Sequence, residues 1–224
     1  MAQAGVAYIV LSHLLFKGVA TCVNAILCMS DKTFQEVFSQ PDLGLTQLGR
    51  DIAEEMCKHR IVIDITHASQ NTIDDIFAVA SHYNAPVIAS HAGVRGVAGY
   101  LLNLSDETIC RIRDSRGIIG VIFFDHWLQA TDPNSPFKVH SGVQLVIDTI
   151  QYLKDLMGTF DHIGIGTDLD GFIVPVAGLE NYSNVQHLAA ALQDNFGMDA
   201  ARQIMHQNAL RVLKQGWGPL VTRG

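Results

Sequence analysis

Apolar positions along the chain fall into two alternating patterns. Five short runs are apolar almost throughout: Val6–Ser12, Arg60–Thr66, Pro86–Ser90, Gly117–Phe124 and His162–Thr167. Such runs fit strands covered on both faces. Between them the apolar spacing lengthens to that of a helix. Thr46 can cap a helix over Gln47–Lys58, with Leu48, Ile52, Ala53 and Met56 on one side. Ile73, Ile76, Phe77 and Ala80 make a second stripe. Ser105 can open a helix carrying Ile109 and Ile112, with Gly117 as its stop. Further helices are predicted near Val143–Leu156 and Ala200–Lys214. Met29–Gly44 and Gln129–Lys138 have no period and read as surface loops.

Strand then helix, repeated, predicts βα units and a mainly parallel sheet. No low-complexity linker divides the chain, so 1–224 is read as a single domain. A doubly wound sheet usually carries a Gly-rich phosphate loop after its first strand, and none is present. A (β/α)8 TIM-barrel type instead gathers functional side chains where its strands end. The chain shows that pattern: the runs end at His13, His67, His91, Asp125 with His126, and Asp168. An eight-unit barrel takes roughly 250 residues. Only five units are legible here, so about three βα units of the barrel are expected to be lacking.

Composition adds exclusions. A formal charge of −7 with no Lys/Arg run argues against a nucleic-acid partner or an anionic membrane surface. The apolar N-terminal stretch is interrupted by His13, Lys17 and Asn24, which argues against a membrane span. No positive charge precedes it, which argues against a signal peptide. A cytoplasmic location is therefore expected. Cys22, Cys28, Cys57 and Cys110 show no metal-binding spacing and read as free thiols, although Cys22 and Cys28 could pair in an oxidising compartment.

The strand ends carry the chemistry. His67 shares parity with Ile61, Ile63 and Ile65, so it can continue an inward row. His67 and His91 lie one βα unit apart, and imidazoles from neighbouring strands suit Zn2+ or a similar ion. Asp168, in "GTDLDG", can be a ligand, a general base or an anchor for a substrate ammonium. Its bland alternative is a turn cap, which suits Asp170 better because Gly171 follows. His13 is the weaker candidate, because its apolar neighbours Leu14–Phe16 also suit a satisfied core residue. Arg95 is either a surface charge or a clamp for a substrate carboxylate, and His126 is a further candidate for substrate binding.

In order along the chain, "GVAYIVLSH", "GLTQLGRDIAEEM", "IVIDITHAS", "APVIASHAG", "NLSDETICRI", "HIGIGTDLDG" and "GLENYSNVQHLAAAL" with "NALRVL" resemble the membrane (renal) dipeptidase family. The resemblance covers residues from about 5 to 213. It implies a metal-dependent barrel of the amidohydrolase type that hydrolyses dipeptides with two zinc ions and a bridging hydroxide. By this resemblance His67 and His91 bind one zinc, Asp168 handles protons and contacts the substrate amine, and His13 polarises the scissile carbonyl. The family's His-x-Asp pair and its metal-bridging glutamate would lie upstream of the segment matching Gly5–His13. Leu102 stands where the family has a substrate-binding arginine, and Arg95 is the candidate to replace it.

The expected partner is thus a small dipeptide, and the expected cofactor is Zn2+ at His67 and His91, with the second ion lacking its ligands. A homo-oligomer or a missing N-terminal segment is expected, and a partner chain that supplies the first strands is the alternative. Weak or no turnover is expected from this chain alone. Two alternatives remain open: a metal-dependent hydrolase of other amides or lactones, which the loss of a carboxylate clamp at Leu102 would favour, and a non-catalytic metal-binding remnant.

Overall fold

A computed structural model describes residues 1–26, 28–130 and 141–217. The chain divides into two compact units. One contains Met1–Ile88, Ser115–Gly117 and the segment from Arg211. The other contains Ala89–Asp114 and Ile118–Leu210.

In the first unit β1 (Tyr8–Val10) pairs in parallel with β2 (Val62–Asp64), placing Val10 opposite Asp64. β2 pairs in parallel with the start of β3 (Val87–Ala92), placing Asp64 opposite Ile88. In the second unit the rest of β3 pairs with β4 (Ile119–Val121), and β4 with β5 (Ile163–Ile165), all parallel. The paired ladders are shorter than the apolar runs. Single bonds such as Val62 N–H to the Ala7 carbonyl (2.9 Å) and Phe123 N–H to the Thr167 carbonyl (3.2 Å) continue them.

The helices follow from caps and stripes. α1 (Asp31–Val37) opens on Ser30 and buries Phe34, so the stretch expected to be an irregular loop contains a capped helix with a single core anchor. α2 (Gln47–Lys58) begins at Thr46, whose Oγ accepts the Gly49 N–H at 3.1 Å. Its buried face is Gly49, Ala53 and Met56, while Leu48 is 56% exposed. The face is rotated from the expected one because a Cβ at Gly49 would strike the Val19 carbonyl. α3 (Gln70–His82) is capped by Ser69 and buries Ile73, Ile76, Phe77 and Ala80. α4 (Asp106–Asp114) is followed by a left-handed residue at Arg116, φ 64°, rather than at Gly117. Arg60, Asn84 and Gly158 take the same conformation before β2, β3 and β5. A left-handed residue just past a helix is a common stop, and here it aims each helix back toward the next strand. Arg116 is held there by Arg211, which donates to its carbonyl at 2.7 Å.

In the second unit α5 (Asp125–Leu128) follows β4 and α6 (Val143–Met157) precedes β5. α7 (Val185–Phe196), which the apolar spacing did not predict, buries Leu188 and Leu192. The helix expected over Ala200–Lys214 is interrupted. It runs as α8 (Met198–Arg202), a π turn at Gln203–Gln207, and α9 (Asn208–Gly216). Most of the expected Gln129–Lys138 loop lies outside the described residues. Among the described residues no helix is long and apolar enough to cross a membrane.

Candidate functional site

Past β2 the chain turns sharply. Ala68 N–H donates to the Ile65 carbonyl at 3.0 Å, and His67 sits inside that turn at φ 67°. A left-handed β-carbon costs of order 1–2 kcal/mol, and such a conformation persists only where its surroundings hold it. Here Val23 N–H donates to the His67 carbonyl at 2.9 Å and Ser69 N–H to the Thr21 carbonyl at 3.1 Å. Thr21 is itself buried, and its Oγ donates to the Leu43 carbonyl at 2.6 Å. His13 follows β1 and is exposed, and its ring meets that of His67 edge to face with centroids 4.9 Å apart. The structure therefore brings together two of the residues expected from the strand ends.

The second unit presents the others. His91 lies half-buried within β3, its Nδ1 2.9 Å from the Ser90 Oγ. If Nδ1 carries the proton, Nε2 has the lone pair that a metal or an acid requires. The Ser90 carbonyl is wedged between two glycines: a Cβ at either Gly120 or Gly166 would collide with it. Asp168 lies just past β5 at φ 54°, half-buried. Its backbone carbonyl, rather than its carboxylate, accepts the Gly171 N–H that closes the turn. A Cβ at Gly171 would meet the Asp168 carboxylate, so glycine is required for close approach. Asp170 and Phe172 are also left-handed, and Phe172 is fully exposed.

Arg95 uses two of its donors internally, Nε to the Asn103 carbonyl at 2.8 Å and Nη2 to the Leu101 carbonyl at 2.6 Å. It thereby braces the loop that carries Leu102. His126 sits on α5, exposed, with the Tyr100 ring 4.7 Å away. Tyr100 was not expected at this place, and no spacing in the sequence marks it. Asp64 was also missed, although a carboxylate inside "IVIDI" was a visible signal.

A hydrolytic zinc ion usually takes three protein ligands and a water. Among the described residues no group of three or more His, Cys, Asp or Glu side chains is placed to hold a metal ion. The described residues therefore do not by themselves fit such an ion. All four cysteines are free thiols, with Cys22 buried and Cys28 exposed.

A family model described as membrane dipeptidase (peptidase family M19) matches residues 1–216. The chain belongs to this family. It is 34% identical over 173 residues to the dipeptidase tcpJ of Claviceps purpurea, covering 77% of this chain and 38% of that protein. It is similar in structure to a metallopeptidase from Rhodobacter sphaeroides solved with a phosphinate mimic of the dipeptide L-Ala-D-Ala. That likeness has a TM-score of 0.68 and 28% identity, covering 78% of this chain and 48% of the other. It also matches the probable dipeptidase PvdM from Pseudomonas aeruginosa with a TM-score of 0.81, covering 96% of this chain and 64% of the other, and at 20% identity this is a likeness of fold. The chain thus spans between about two fifths and two thirds of the length of these proteins. The fold is of the TIM-barrel type that the strand ends implied, with its parallel strands in chain order.

Proposed function

We propose that this chain carries part of the site of a zinc-dependent dipeptidase. The observation that carries the proposal is the placement of His67 and Asp168. Both follow parallel strands directly, and both hold a left-handed backbone that glycine would adopt without strain. Chemistry-bearing side chains kept at strained positions point to function before stability. Dipeptides are the substrate class because the Rhodobacter relative was solved with a dipeptide mimic.

In this proposal His67 and His91 would hold a zinc ion together with ligands from outside the described residues, and the ion would supply an activated water. Asp168 takes the proton of the attacking water and passes it to the leaving amine as the peptide C–N bond breaks, and it anchors the substrate amine. His13, exposed and braced against His67, donates to the developing oxyanion. Arg95 and His126 contact the substrate, Arg95 through the donors it does not spend on Leu101 and Asn103. With no three-donor cluster among the described residues, weak or no turnover is expected from this chain alone.

The second reading is hydrolysis of another amide or a lactone, favoured by Leu102 and by the internal use of Arg95. A panel of dipeptides including L-Ala-D-Ala, run beside simple lactones with added zinc, tests both. Turnover confined to dipeptides and lost in Asp168→Asn supports the proposal. Lactone turnover without dipeptide turnover overturns it.

A further inference from the structure

Asp64 is a carboxylate where an apolar side chain is the rule. It ends β2, in register with Val10 on one side and Ile88 on the other, and it is 2% exposed. A buried carboxylate is tolerated only when hydrogen bonds replace its water. Its Oδ1 accepts two bonds from the same residue: Thr66 N–H at 3.0 Å and Thr66 Oγ–H at 2.7 Å. We propose that Asp64 is a positioning residue for His67, an inference that rests on His67 being a functional donor.

The bonds show how. Two donors converging on one carboxyl oxygen curl the chain from residue 64 back over residue 66, which ends the extended backbone of β2. Thr66 is itself buried, so its hydroxyl has no water to turn to. The next residue is then delivered into the Ile65–Ala68 turn with a left-handed backbone. The far side of the turn is tied down separately, through Val23 N–H on the His67 carbonyl. The Thr21 carbonyl adds to this by accepting both Ser69 N–H and Thr72 Oγ–H, the latter at 2.9 Å. Asp64 grips the entry to the turn and the Thr21–Val23 segment grips its exit. The reach of the carboxylate is visible at Tyr8, whose phenol is pushed up by burial first and by Asp64 second.

The test uses the full chain without metal, read by NMR. In Asp64→Leu the Thr66 and Val23 amides should exchange roughly tenfold faster, the loss of about one hydrogen bond. The His67 backbone carbon shifts should leave the left-handed range, while the Val62 amide of β2 keeps its protection. Asp64→Asn retains the Oδ1 acceptor and should restore both signals, which a general packing role would not predict. If Asp64→Leu does not fold, Thr66→Val removes one of the two donors and should show the same shifts with roughly threefold faster exchange. Unchanged His67 shifts and Val23 exchange in Asp64→Leu, or in Thr66→Val where Asp64→Leu fails to fold, overturn the inference. The functional reading fails separately, if His67→Ala leaves zinc binding by the chain unaltered.

Discussion

His13 and His67 meet edge to face, with ring centroids 4.9 Å apart and planes at 88°. They leave different strands, β1 and β2, and His67 reaches this contact only from a left-handed backbone. The strain and the contact belong together: an extended residue 67 would send its ring elsewhere. We therefore expect His67→Gly to change stability by no more than about 1 kcal/mol, because relief of strain offsets the entropy of glycine. His67→Val keeps the strain, loses the imidazole and should be clearly less stable. Thermal melts of the two variants check the ordering.

Asp168 invites the same comparison. Asp168→Gly and Asp168→Asn should melt close to the parent, since both tolerate φ near 54°. Either change should remove dipeptide turnover wherever the complete site operates. Parent-like turnover in Asp168→Asn would leave Asp168 as a turn residue only.

The two glycines beside Ser90 yield a steric prediction. Gly166→Ala puts a methyl group into the Ser90 carbonyl, which is backbone and cannot swing away. The expected loss is about 1–3 kcal/mol, and chemical denaturation measures it. The Ser90 Oγ contact to His91 should loosen with it, visible as a shift of the His91 ring signals.

Arg95 combines bracing with a proposed contact. Arg95→Ala removes two bonds to the carbonyls of Leu101 and Asn103, and should cost about 1–2 kcal/mol and open this loop to proteases. In a complete enzyme it should also raise the KM for dipeptides. An unchanged KM would confine Arg95 to the loop.

Cys57 is pushed up from 9.0 to about 11, first by burial and second by Glu54. Because the folded value lies above the unfolded one, its contribution to stability is present below about pH 9 and fades as pH rises toward 11. Its thiolate should be scarce at pH 8, so iodoacetamide should label exposed Cys28 well before Cys57.

How much of this was legible in the sequence follows physical lines. Helices with a cap and a stripe were read almost to the residue, as at Thr46 and Gln47–Lys58. His13, His67 and Asp168 past their strands, and His91 inside the last residues of β3, were readable because a polar group closing an apolar run stands out. What escaped was set by close approach and by conformation. The Gly49 contact with Val19 rotated the buried face of α2, and nothing local marks it. Arg116 rather than Gly117 ends the helix before β4, because the Arg211 bond to its carbonyl holds it there. Tyr100 reaches His126 only through the fold of the loop that Arg95 braces. The left-handed backbones of His67 and Asp168 are likewise tertiary facts.

Zinc binding by the purified full chain, followed by calorimetric titration in the parent, His67→Ala, His91→Ala and, as a control, His82→Ala, addresses the central claim most directly. The parent should bind zinc more weakly than a three-ligand site would. Either substitution at His67 or His91 should remove that binding, and His82→Ala should not. Binding that survives both His67→Ala and His91→Ala would contradict the account.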